Sequence, residues 1–131
     1  MQKSLKIMVI DDEPIVVKRL KPALEKSGHE VEVFVNSADA MNRFDEEHFD
    51  IVVTDVRMDE IDGIEVLSHV TDKSPQVKVI VITGYATIEV AREALAKGAF
   101  DFIAKPFKPN ELRIVIEKAV EALSREAKNS G

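Results

Sequence analysis

The sequence predicts an α/β fold, a doubly wound parallel sheet built from five β/α units. Three observations lead there. Short β-branched apolar runs recur along the chain, and stretches of helical periodicity separate them. Three of the runs are almost continuously apolar, as expected of strands covered on both faces. At 131 residues and 45% apolar content the chain suits one domain that needs no disulfide or metal to close its core.

The elements follow in order. The first strand is KIMVI (6–10), and Pro14 lies in the first turn of a helix that Gly28 stops. Pro22 lies inside that helix, deletes one hydrogen bond and predicts a kink. The second strand is VEVFV (31–35); helix 2 follows Asn36–Ser37 and buries Met41 and Phe44. The third strand, DIVVT (50–54), leads into Asp55. Asp62, with Glu65 three residues on, forms a capping-box-like pair before helix 3, whose apolar positions are Ile64, Leu67 and Val70. The fourth strand is KVIVIT (78–83). Helix 4 runs from about Thr87 to Lys97 with Gly98 as its stop, and its inward residues read as Ile88, Ala91, Ala94 and Leu95. The fifth strand, FDFIA (100–104), alternates and reads as an edge. Pro109 opens helix 5, whose stripe is Leu112, Val115, Ile116, Ala119, Val120 and Leu123. Residues 1–124 read as the domain, and 125–131 as a polar tail that frays.

Bulk properties exclude several functions. With no cysteine, thiol chemistry and thiolate metal sites are absent. A net charge of −6 with scattered basic residues argues against direct nucleic-acid binding. The longest apolar runs are too short to span a membrane, and the first run ends in three acids, unlike a signal peptide. The expected location is the cytoplasm. His29, His48 and His69 lack ligand spacing and read as structural.

In an open parallel sheet, ligands bind beyond the carboxyl ends of the strands. There the chain places Asp11, Asp12 and Glu13 after strand 1, Asp55 after strand 3, Thr83 and Gly84 after strand 4, and Lys105 and Pro106 after strand 5. If strands 1 and 3 are neighbours, Asp11, Asp12 and Asp55 converge and repel unless a cation neutralises them. An all-oxygen donor set suits a hard cation such as Mg²⁺, with Mn²⁺ as a substitute. Asp55 can then act as a nucleophile toward phosphorus, while Thr83 and Lys105 bind phosphoryl oxygens. Each group alone has a plainer reading: a capping acid, a capping threonine, a solvated lysine. Four such groups at four matching strand ends favour the chemistry.

VIDDEP (9–14), IVVTDVRMDEIDG (51–63), VIVITGYA (79–86) and AFDFIAKPF (99–107) together resemble the receiver domain of bacterial two-component response regulators, over residues 5–123. Residues 84–107 most resemble receivers of σ54-type activators. The resemblance implies a flavodoxin-like (βα)5 fold with strand order 2-1-3-4-5. It implies that Asp55 is the phosphoacceptor, and that the side chains of Asp11, Asp12 and Asp55 with the backbone carbonyl of Arg57 hold Mg²⁺. Thr83 and Lys105 would contact the phosphoryl group, and Phe102 takes the position of the family's rotating aromatic. Lys105–Pro106 resembles the family's cis peptide. The implied donor is a sensor histidine kinase or histidine phosphotransfer protein. The implied output passes through the helix 4–strand 5–helix 5 surface, to an output domain, an effector or a second copy. Arg57 and Tyr85 flank the expected path of the water that hydrolyses the phosphoaspartate. One departure stands out: the family usually has proline four positions after the phosphoacceptor, where this chain has Asp59.

Three rivals differ in residues. A haloacid-dehalogenase-like phosphatase wants a second acid two positions after its nucleophile, where this chain has Arg57. A flavin-binding protein of similar fold wants Ser, Thr and Gly after strand 1 in place of three acids. A pseudo-receiver acting as an interaction module has no need of the intact set of acids, threonine and lysine.

Overall fold

The computed structural model describes residues 4–56, 62–84 and 88–130. Strands and helices alternate along the chain: β1 (Lys6–Ile10), α1 (Pro14–Glu25), β2 (Glu30–Phe34), α2 (Ser37–Glu46), β3 (Ile51–Asp55), α3 (Gly63–Lys73), β4 (Lys78–Thr83), α4 (Ile88–Ala96), β5 (Asp101–Ala104) and α5 (Pro109–Ser130). The sheet is parallel throughout, in the order β2-β1-β3-β4-β5. The nearly continuous apolar runs β1, β3 and β4 take the three interior places, and the alternating β5 lies at an edge.

The two-residue period of a strand divides the core in two. Met8, Ile10, Val52, Val79 and Val81 face α2, α3 and α4, where they meet Phe44, Leu67, Val70 and Ala94. Ile7, Val9, Ile51, Val53, Ile80 and Ile82 face α1 and α5, where they meet Leu20, Leu24, Leu112 and Ile116. Both faces are covered, so the strand ends are left as the polar rim.

Local signals account for most boundaries. Asn36 caps α2 by accepting from the Asp39 amide, and Asp62 caps α3 by accepting from the Glu65 amide. α1 is continuous through Pro22, and Gly28 beyond its end has φ of 89°, a conformation that favours glycine.

Two elements differ from the sequence reading. In α4, Ile88 and Leu95 are 67% and 52% exposed, while Val90 and Ala94 pack inward. The cap explains this rotation. Gly98 takes φ of 102°, and the Ala99 amide bonds back to the Ala94 carbonyl, which seats Ala94 against the core. Ile88 and Leu95, seven residues apart and hence on one face, turn outward. In addition, α5 continues through residues 125–130, past the boundary that the polar composition suggests. Good helix formers occupy 125–128, the Lys78–Glu126 ion pair links the helix to the start of β4, and the exposed Arg125–Glu121 pair adds i,i+4 support.

Candidate functional site

Asp55 is the last residue of β3, the central strand, and is 5% exposed. Asp11 follows β1 on one side and is fully buried; Thr83 ends β4 on the other and is also fully buried. Asp55 continues the parity of Ile51 and Val53, which face α1 and α5. Lys105 follows β5, and its backbone amide is held by the Thr83 carbonyl at 2.8 Å. The Lys105–Pro106 peptide bond is cis.

From that anchor the Lys105 side chain reaches back across β4. Its Nζ donates to Asp11 Oδ2 at 2.7 Å and to Asp55 Oδ2 at 2.7 Å, and meets Glu13 Oε1 at 3.2 Å. An ammonium has three donors, and three carboxylates take them. Asp11 Oδ1 also accepts from the Glu13 amide at 2.9 Å, which fixes its orientation. The exposed Asp12 completes a group in which one oxygen each from Asp11, Asp12 and Asp55 lies within 4.8 Å of the others. Sequence reasoning placed Glu13 at this edge without seeing its contact with Lys105. That contact depends on how far two long side chains reach.

The electrostatics are tense. Burial raises the Asp11 pKa above its ordinary value, with the Asp55 charge adding to the shift and Lys105 and the Glu13 amide opposing it. Burial alone would lower the Lys105 pKa, but its bonds to Asp11 and Asp55 outweigh that and the net direction is upward. A clustered, all-oxygen set with a fully buried member fits a hard divalent cation.

Phe102 lies on β5 in register with Val81 and packs, half-buried, against the α2–α4 core. Thr83 continues the parity of Val79 and Val81, toward that same core. Arg57, Tyr85 and Asp59 lie outside the described residues. The histidines stand apart from the cluster: His29 Nδ1 accepts from the Leu5 amide, His48 pairs with Asp50 and His69 with Asp45.

A family model described as the response regulator receiver domain matches residues 7–117. The chain belongs to that family. Among curated relatives, this receiver domain is 37% identical over 119 residues to the regulatory protein AtoC of Escherichia coli K12, covering 91% of this chain and 26% of AtoC. It is 34% identical over 117 residues to the transcriptional regulatory protein ZraR of the same strain, covering 89% of this chain and 26% of ZraR. It thus spans about a quarter of the length of these relatives. Among solved structures, a CheY-like receiver domain from Methanospirillum hungatei superposes with a TM-score of 0.90 at 27% identity, over 95% of this chain and 99% of that one. The beryllofluoride-activated NtrC4 receiver domain dimer matches with a TM-score of 0.85 at 31% identity, over 90% of this chain and 98% of that one. The receiver is a signalling switch domain, and no helix among its described residues is long and apolar enough to cross a membrane.

Proposed function

We propose that this receiver takes a phosphoryl group from phosphohistidine of a sensor histidine kinase or histidine phosphotransfer protein onto Asp55. The carrying observation is Lys105 bridging Asp55 and the buried Asp11, with Asp12 beside them. An Asp55 oxygen attacks phosphorus, the P–N bond breaks, and the released imidazole takes up a proton. Lys105 passes from a carboxylate to a phosphoryl oxygen, and the Thr83 hydroxyl binds another. Asp11, Asp12, Asp55 and the Arg57 carbonyl would hold Mg²⁺, or Mn²⁺ in its place, which supplies charge to offset repulsion among the oxygens. A cavity of about 440 Å³ beside Lys105, lined in part by Ile15, Leu20 and Phe107, offers the donor protein an apolar footing next to the acids.

The switch then runs through Thr83 and Phe102, which share one face of the sheet. As Thr83 moves toward the phosphoryl group, Phe102 turns into the space and the α4–β5–α5 surface changes population. Ile88 and Leu95 on α4 and Ile114 on α5 are exposed, which supports that surface as the contact with an output domain, an effector or a second copy. The regulator relatives support a role in controlling transcription, of the σ54-activator type that residues 84–107 resemble, in the cytoplasm. Arg57 and Tyr85 tune the phosphoaspartate lifetime. The pseudo-receiver alternative draws no support from a site that brings Asp11, Asp12, Asp55 and Lys105 together.

The test is incubation with acetyl phosphate and Mg²⁺, read by intact mass. A single phosphoryl adduct is expected, lost in Asp55→Asn and on chelation of the metal. No adduct under conditions that label a control receiver overturns the reading. Arg57→Ala and Tyr85→Ala should each change the decay rate of the adduct, and unchanged decay in both removes them from that role.

A further inference from the structure

We propose that Gly63 is a positioning residue for Asp55. The inference rests on Asp55 as the phosphoacceptor, and its evidence is steric. Gly63 opens α3, and its φ is not positive, so its backbone conformation is open to any L-residue. Space is the constraint. A Cβ at Gly63 would lie 2.1 Å from the Asp55 carbonyl oxygen, 2.7 Å from Val56 Cα and 2.8 Å from the Asp55 carbonyl carbon. All three are backbone atoms, so no rotamer change relieves the clash. The Gly63 amide also donates to the Val56 carbonyl at 2.7 Å. The first residue of α3 therefore lies directly against the backbone that carries the nucleophile.

What yields when that space is filled decides the role. α3 is pinned: Val66, Leu67 and Val70 are fully buried, Ile64 is 9% exposed, and Asp62 caps the helix. Asp55 is held too, by its pairing with Ile82 of β4, by Thr54 Oγ1 donating to its carbonyl and by Lys105, although its β1 pairing has ended at Thr54. The clash is with the Asp55 carbonyl itself. Part of the displacement therefore falls on Asp55 and Val56, and the carboxylate shifts relative to Asp11 and Lys105. Such chemistry loses rate steeply with a misplacement of about 1 Å.

Gly63→Ala tests this beside Leu24→Ala, a truncation in the core against α1 and α5 that lowers stability far from the site. At a temperature where both are folded by circular dichroism, Gly63→Ala should label with acetyl phosphate at least tenfold more slowly than the wild type. It should bind Mg²⁺ at least fivefold more weakly, and the Asp55 carbonyl ¹³C resonance should move. Leu24→Ala should lose melting temperature alone. A Gly63→Ala protein with lowered melting temperature but wild-type rate, Mg²⁺ affinity and Asp55 resonance overturns the proposal, because α3 has then yielded instead. If the wild type itself takes no phosphoryl group, the phosphoacceptor reading fails, and the Asp55 resonance still decides the Gly63 claim. If Gly63→Ala does not fold, wild-type amide spectra decide. The Gly63 amide should shift on Mg²⁺ addition with the same midpoint as Asp55, and a stationary Gly63 amide overturns the coupling.

Discussion

β1 carries a charge cluster at each end, and the two are built on opposite principles. At its first residue, Lys6 Nζ meets Glu32 at 3.3 Å and Glu47 at 3.2 Å, while Arg43 grips Glu32 through two bonds of 2.9 and 3.0 Å. Two cations face three acids, Glu32, Glu47 and the more distant Glu46, all partly open to water. Just past its last residue, Lys105 is the one cation among the described residues that faces Asp11, Glu13 and Asp55, with Asp12 nearby, and Asp11 is fully buried. The first cluster is nearly balanced and wet, as a network that joins surface elements needs to be. The second is acid-rich and partly dry, which costs stability unless further positive charge arrives. Buried imbalance, more than the number of charges, distinguishes the end that carries the proposed phosphoacceptor.

Removing the cation at each end should separate them most. Breaking a buried ion pair costs about 3–5 kcal/mol, and the partial exposure of this rim reduces that. Lys105→Ala should therefore lower unfolding free energy by about 2 kcal/mol in metal-free buffer. Arg43→Ala should cost clearly less, since water screens the charges that it leaves behind. Urea unfolding of both variants checks this, and equal losses would break the distinction.

Metal should act at one end alone. A ligand that binds the folded state at about 100 times its Kd stabilises by about 2.7 kcal/mol. Mg²⁺ should raise the melting temperature of the wild type accordingly. Asp11→Asn should melt higher than the wild type without metal, because a buried charge is gone, and should lose the response to Mg²⁺. Glu32→Gln should keep the full response. Thermal melts with and without Mg²⁺ read all three, and a metal response in Asp11→Asn equal to that of the wild type would remove Asp11 from the cation site.

The sequence was informative where physics is local. β1 and β4 begin and end where their β-branched runs do, and Asp55, Thr83 and Lys105 stand at strand ends because polar residues there interrupt buried runs. The strand order came from resemblance, since periodicity does not say which strands pair. The outward face of α4 was misread because a helix of small residues has adjacent faces of similar apolarity. Seating Ala94 by the Gly98 cap chose between them. In the sequence Gly63 is only the last residue of the IVVTDVRMDEIDG run, and its importance appears only when the Asp55 carbonyl is seen 2.1 Å from where a side chain would begin.

Acid titration gives the smallest effect and the sharpest contrast of sign. Hydrogen bonds from Arg43 hold the Glu32 pKa below 4.5, with burial opposing and Lys6 assisting. The ionised Glu32 thus contributes stability that is complete above its unfolded value and is lost as pH falls through the lower folded value. Glu32→Gln should be somewhat less stable than the wild type near neutrality, and the gap should close on acidification. Asp11 runs the other way. Its folded pKa lies above 3.8, so its ionised form costs stability at neutral pH, and that cost fades as pH falls through the raised folded value. Asp11→Asn should start above the wild type in metal-free buffer and converge on it from that side. Melting curves from about pH 7 down to about pH 3 would show the two variants approaching the wild type from opposite directions. If both approached from below, the charge at Asp11 would be stabilising without metal, and the two ends of β1 would be alike after all.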